Sequence, residues 1–119
     1  MDHQGSEDLV NLEHLKIVTD GDQEFEAELI HLYVEDVTNR LLQIEKLLAA
    51  ETAEVLIREA HTVKGASSNV GAEGVRSIAA EIEKLAKDGQ IEAAAGRYEE
   101  LREAFIQTQD FFEDYIREL

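Results

Sequence analysis

Residues 60–74 read AHTVKGASSNVGAEG, and within them His61, Lys64, Gly65, Ser67, Ser68 and Gly71 have the types and spacing to do chemistry. Free imidazole titrates at about 6.5, so near neutral pH much of it is uncharged and nucleophilic. On a helical wheel over residues 52–70, Val55, Leu56, Ala60, Val63, Ala66, Ser67 and Val70 gather on one side. His61, Lys64, Gly65 and Ser68 gather on the other, so the histidine is expected to face outward. Lys64, one turn further on, brings a cation beside any anion the ring carries. Gly65 costs about 1 kcal/mol relative to alanine in a helix interior, and in return leaves room beside the imidazole. Together these features favour phosphoryl transfer through the ring.

The neighbouring positions have plainer readings. Ser67 is expected to pack inward and bond a carbonyl one turn back, as mid-helix serines commonly do. Ser68 shares the histidine face and is a candidate neighbour of a phosphate or partner. Ile57, one turn before His61, is expected to be exposed and to touch a partner. Arg58 and Arg76 either steer an acidic partner or pair with the abundant carboxylates. Glu59 falls on the inward half of the wheel, about 160° from His61. Either the helix is rotated from this estimate or Glu59 emerges at a seam between helices, near Arg40 or Arg97.

The elements that must hold these residues are helices. Proline and cysteine are absent and aromatics are 6%, while alanine, glutamate and leucine dominate, a composition that prefers helix almost everywhere. Ser6 is expected to cap a short helix to about Ile17, with Leu9, Leu12 and Leu15 or Lys16 inward and residues 1–5 a flexible start. After the TDGD break, Asp22 is expected to cap a helix to about Ala50 carrying Phe25, Leu29, Leu32, Val37, Leu41, Ile44 and Leu48 inward. Thr52 is expected to cap a third helix to Val70, stopped by Gly71 in a left-handed conformation. A fourth runs from about Ala72 to Lys87 with Val75, Ile78, Ile82 and Leu85 inward. A fifth runs from about Ile91 to Ile116 through Tyr98, Leu101, Phe105, Phe111, Phe112 and Tyr115. Short loops between long amphipathic helices favour antiparallel neighbours. The expected fold is all-α, an up-and-down antiparallel four-helix bundle with an additional short N-terminal helix covering one end, residues 6–119 forming one domain.

Composition narrows the function. At 119 residues the chain holds one domain, and 44% hydrophobic residues are enough for a core. The net charge of −16, from 27 acidic against 11 basic residues, repels phosphate backbones and anionic membranes, so neither nucleic acid nor a membrane is an expected partner. Zero cysteines exclude thiol chemistry and thiolate metal sites. With no secretory signal and no apolar run of membrane length, the expected location is cytoplasmic.

His61, Lys64, Gly65, Ser67 and Gly71 together resemble the motif of the histidine-containing phosphotransfer (HPt) domain family, H-x-x-K-G-x-S followed by a glycine four residues on. The resemblance extends from about residue 20 to the C-terminus. It implies that His61 accepts a phosphoryl group from a receiver-domain aspartate or a kinase and passes it to a response-regulator aspartate. It gives the phosphoryl oxygens to Lys64 and the approach of the receiver loop to Gly65. It gives the holding of Nδ1–H to Glu83, 22 residues after the histidine, which frees Nε2 as the nucleophile. Glu83 favours imidazolium and Lys64 opposes it, and the sequence leaves that balance unsigned. The resemblance implies a phosphoryl carrier with no ATP site and no cofactor of its own, the divalent metal belonging to the receiver. Its partners would be response-regulator receiver domains or a hybrid sensor histidine kinase.

Other classes fit less well. Glu28 and His31 form the Glu-x-x-His pair of carboxylate-bridged metal bundles, but a second copy is missing. DGDQE at residues 20–24 lacks the glycine and the final carboxylate of a calcium loop. His3 and His14 have no evident partners. A helical adaptor that binds receivers or helices without chemistry would keep the bundle but have no use for an exposed histidine beside Lys64 and Gly65.

Overall fold

A computed structural model describes residues 9–50 and 52–119, and the side chains of residues 49 and 50 lie outside the description. The flexible start at 1–5, the Ser6 cap and His3 therefore lie outside the described residues. Every regular element described is a helix: α1 (Leu12–Thr19), α2 (Gln23–Ala50), α3 (Ala53–Val70), α4 (Glu73–Lys87), α5 (Ile91–Gly96) and α6 (Tyr98–Arg117).

The helix expected to reach Ile17 is interrupted at residues 10 and 11. Asn11 caps α1, its side-chain oxygen accepting the His14 N–H at 3.1 Å. Residues 9–11 instead lie along the α3–α4 turn, where the Asn11 N–H donates to the Gly71 carbonyl at 2.7 Å. Val10 is buried there, and Leu9 packs beside Gly74. Those contacts hold residues 10 and 11 out of helix just before α1 begins. Leu15 is inward as expected and Lys16 is exposed. Asp20 and Gly21, both at positive φ, end α1.

Asp22 caps α2 as expected, its Oδ1 accepting the Phe25 N–H at 3.1 Å. The inward stripe differs in the first half of α2. Phe25 and Leu32 are 43% and 59% exposed, while Glu26, Ile30 and Tyr33 are buried in line with Val37, Leu41 and Ile44. Three- and four-residue steps allow either stripe, and the polar one is chosen because its groups find partners. Tyr33 Oη lies 2.8 Å from Ser67 Oγ, and Glu26 accepts from Thr19 at 3.3 Å and from the Tyr115 hydroxyl at 2.6 Å. Paired polar atoms carry little burial penalty.

Thr52 stands at the N-cap of α3 as expected, but its side chain makes no capping hydrogen bond. Leu56, Ala60, Val63, Ser67 and Val70 form the buried face. At Gly71 the chain turns with φ 77°, the Ala72 N–H reaching back to the Ser67 carbonyl at 2.8 Å in a Schellman-type stop. Glycine is needed twice over, since a Cβ here would sit 2.3 Å from the Asn11 carbonyl oxygen. In α4 the buried face is Val75, Ala79, Ile82, Glu83 and Ala86, with Ile78 and Leu85 only partly covered.

The expected fifth helix is two. Gly96 is a poor helix former, and the next N–H, of Arg97, bonds the Ala94 carbonyl three residues back at 3.1 Å. The break lets Tyr98 turn its hydroxyl to the Leu41 carbonyl at 3.2 Å, while Arg97 pairs with Glu81. Tyr33 meets Ser67 and Arg40 meets Glu59, so α2 and α3 run antiparallel. Glu26 with Tyr115 and Leu41 with Tyr98 set α2 against α6 the same way. Helices α2, α3, α4 and α6 thus form the expected bundle, with α1 across the end where α2 begins and α3 stops. Tyr33 stacks edge-on against Phe105 and Phe112 in its core.

Candidate functional site

The buried face of α3 fixes what its other face offers. With Ala60, Val63 and Ser67 inward, His61 stands midway along the helix with its side chain 64% exposed. Its Nδ1 lies 2.8 Å from Oε2 of Glu83, which α4 presents from a position only 4% exposed. Burial pushes the Glu83 carboxyl up, but hydrogen bonds from Lys64, Lys87 and His61 outweigh it and hold the group at about 2. An ionised carboxylate only accepts. Nδ1 therefore carries the proton in this bond, and in a neutral ring the lone pair is on Nε2, which faces away from Glu83.

Lys64, expected to attend a phosphate, is engaged in this state. Its Nζ lies 2.7 Å from the other Glu83 oxygen, Oε1. Lys87 on α4 is a site residue that sequence reasoning missed, with Nζ 3.1 Å from Oε2. The signal was present, since Glu83 and Lys87 are spaced i, i+4 in the favourable order. The balance left unsigned between Glu83 and Lys64 thus involves two ammoniums and an imidazole around one carboxylate.

Gly65 is exposed, and a Cβ added to it would meet nothing within 4 Å. Its φ is not in the left-handed range either. No backbone demand and no contact within the chain offsets the helix propensity it gives up. Ser68 is exposed on the same side.

Two expectations are corrected. Ser67 bonds Tyr33 rather than a carbonyl one turn back, because the phenol of α2 reaches it in the core. Ile57 is partly buried against the core rather than exposed, because it lies beside the buried Leu56 and one turn from Ala60. Of the two places offered for Glu59, the seam is the right one, where it pairs with Arg40 at 3.2 Å. Arg76 pairs with Glu73, and Arg58 is exposed. Glu28 and His31 are both exposed, and among the described residues no three histidine or carboxylate groups gather as a metal site. A groove between α2 and α6, floored by Ile30, Val34, Phe112 and Ile116, contains none of the motif residues. What the His61 face offers is an exposed, charged surface.

The family model of the Hpt domain matches residues 28–111, a span that includes His61, Lys64, Gly65, Glu83 and Lys87. The chain belongs to the Hpt family. It is 28% identical over 97 residues to the phosphorelay intermediate protein rdeA of Dictyostelium discoideum, which covers 82% of this chain. The chain spans 38% of the length of that relative. Among solved structures it is similar to histidine-containing phosphotransfer protein B of Pseudomonas aeruginosa, with TM-score 0.87 at 24% identity over 93% of this chain and 96% of the other. A histidine-containing phosphotransfer protein of maize gives TM-score 0.85 at 20% identity over 94% and 86%. These structural likenesses agree with the helical bundle. Among the described residues, no helix is long and apolar enough to cross a membrane.

Proposed function

We propose that the chain is a phosphoryl carrier of a two-component relay, with Nε2 of His61 as the acceptor and donor atom. The observation that carries this reading is the ring itself, exposed, held through Nδ1 by buried Glu83 at 2.8 Å, and flanked by unfilled space at Gly65. Membership of the Hpt family and the description of the Dictyostelium relative as a phosphorelay intermediate support it.

In the proposed step the Nε2 lone pair attacks the phosphorus of a receiver's aspartyl phosphate in line. The N–P bond forms as the P–O bond to the aspartate breaks, and the carboxylate leaves with the electron pair. Nδ1–H stays on Glu83, whose charge stabilises the positive charge growing on the ring. Lys64 turns one or more of its three donors from Glu83 to the phosphoryl oxygens. The divalent metal belongs to the receiver in this scheme, and positioning and electrostatics supply most of the catalysis. The chain itself acts as a carrier rather than an enzyme. Its partners are receiver domains of response regulators or of a hybrid sensor kinase, and the relay is cytoplasmic.

Incubation with a phosphorylated receiver domain tests the reading. Acid-labile label is expected on the wild type and not on His61→Gln. Equal label on both would remove His61 from the scheme, and receiver binding with no label on either would make the chain a docking adaptor.

A further inference from the structure

Glu83 receives three donors from two helices, and they are not shared evenly. Oε1 serves Lys64 alone at 2.7 Å, whereas Oε2 serves both Nδ1 of His61 at 2.8 Å and Nζ of Lys87 at 3.1 Å. Two nitrogens on one oxygen at those distances are no more than about 6 Å apart, close enough for charges to act on one another strongly. The first of them belongs to the proposed nucleophilic ring. The second is on the side chain of Lys87, 57% exposed and outside the H-x-x-K-G-x-S motif.

We propose that Lys87 is a positioning residue of this site: by sharing Oε2 with Nδ1 of His61, its ammonium opposes a second proton on the ring and so favours a free lone pair on Nε2. This rests on the reading of His61 as the phosphoacceptor. A buried carboxylate beside an imidazole draws it toward imidazolium, and imidazolium has no lone pair to offer phosphorus. Lys87 opposes that in two ways. It takes part of the negative charge of Oε2, and it repels a positive ring directly. Lys64 acts on the other oxygen, and in the proposed step it is called away to the phosphoryl group, so Lys87 is the cation that stays with Glu83.

The neighbouring charges do not duplicate this role. His61 and Lys64 reach Glu83 from α3, and Lys87 reaches it from α4. Arg97 on α6, which packs on α4, pairs with Glu81 and Glu100 instead. Arg40 on α2, which packs on α3, pairs with Asp36 and Glu59. Among the described residues, α1 and α5 contribute no ion pair to the cluster.

The test compares the full chain with Lys87→Met, which keeps the length of the stem, and Lys87→Arg, which keeps the charge. The His61 ring is followed by NMR from pH 5 to pH 9 at low salt. In Lys87→Met the ring should lose its proton at a pH higher by about half a unit or more, the effect of one charge at about 6 Å even at the dielectric of water. Lys87→Arg should follow the wild type. Coincident curves in all three proteins, or the same displacement in Lys87→Arg, would overturn the proposal. Transfer rates from a phosphorylated receiver give the second readout. Lys87→Met should be slower than wild type at pH 6 and no slower at pH 9, because once the ring is neutral the missing cation leaves a more basic nucleophile. An equal loss at every pH would mean that Lys87 serves docking alone, and would also overturn it. The ring titration needs no phosphoryl group. Unlabelled wild-type His61 together with a displaced titration would reject the phosphoacceptor reading and leave the link between Lys87 and the ring standing.

Discussion

Replacing Glu83 by glutamine gives the most direct measure of what the buried carboxylate contributes. The glutamine amide has the shape of the protonated carboxyl and can still accept from Nδ1 of His61, but it cannot pair with Lys64 or Lys87. In the folded protein the Glu83 carboxyl is held at about 2, against an ordinary value of 4.5. That difference corresponds to about 3 kcal/mol favouring the charged form at neutral pH. This is a ceiling, because Lys64 and Lys87 stay partly solvated and screened. The sign follows from the folded value being depressed: the contribution is complete above the unfolded value of 4.5 and is lost as pH falls toward 2. At pH 3 linkage leaves about 1.4 kcal/mol of it. Urea denaturation followed by helical circular dichroism at pH 7 and pH 3 should therefore find the gap between wild type and Glu83→Gln more than halved at the lower pH. The chain's large acidic excess also titrates in this range, but it does so in both proteins and cancels in the difference. A gap that is the same at both pH values, or wider at pH 3, would refute the three-donor account of Glu83.

Further outcomes follow from other parts of the structure. Gly71→Ala should destabilise the fold by about 2 kcal/mol or more in urea denaturation, because it combines positive φ with a clash against the Asn11 carbonyl. A loss below about 0.5 kcal/mol would contradict the close approach of residues 9–11 to that turn. Gly65→Ala should raise stability by up to about 1 kcal/mol in the same measurement, since a Cβ there meets nothing, while Gly65→Leu should fold normally and slow transfer from a receiver. Unimpaired transfer by Gly65→Leu would remove the steric role. Tyr33→Phe and Ser67→Ala should each cost about 1 kcal/mol and the double variant clearly less than the sum, the sign of one shared buried hydrogen bond. Full additivity would separate them.

Where sequence reasoning succeeded, the partner was water or a near neighbour. The wheel of α3 is legible because Ala60, Val63, Ser67 and Val70 leave one side apolar and His61, Lys64, Gly65 and Ser68 take the other. The Gly71 stop and the Asp22 cap are also local. Where it failed, the deciding partner came from far along the chain. Glu26 and Tyr33 look like surface residues until Tyr115 and Ser67 arrive, 89 and 34 positions away, and Phe25 and Leu32 are displaced outward in consequence. Lys64 was readable as a cation near the ring, but not as one already paired, because that depends on the depth at which α4 sets Glu83. The break at Arg97 has a local cause in Gly96, and its benefit is the distant bond of Tyr98 to Leu41.

The strap formed by residues 9–11 bears on how this domain can be cut and joined. It precedes the family-matched span, yet its backbone is tied to the α3–α4 bend and it leads directly into α1, whose Leu15 is fully enclosed. A shortened version trimmed to the matched boundary would remove the buried Val10 and Leu15 together with α1, and would leave the Gly71 carbonyl only the Glu73 N–H as a donor. Fusions and minimal versions should therefore keep everything from Leu9 onward.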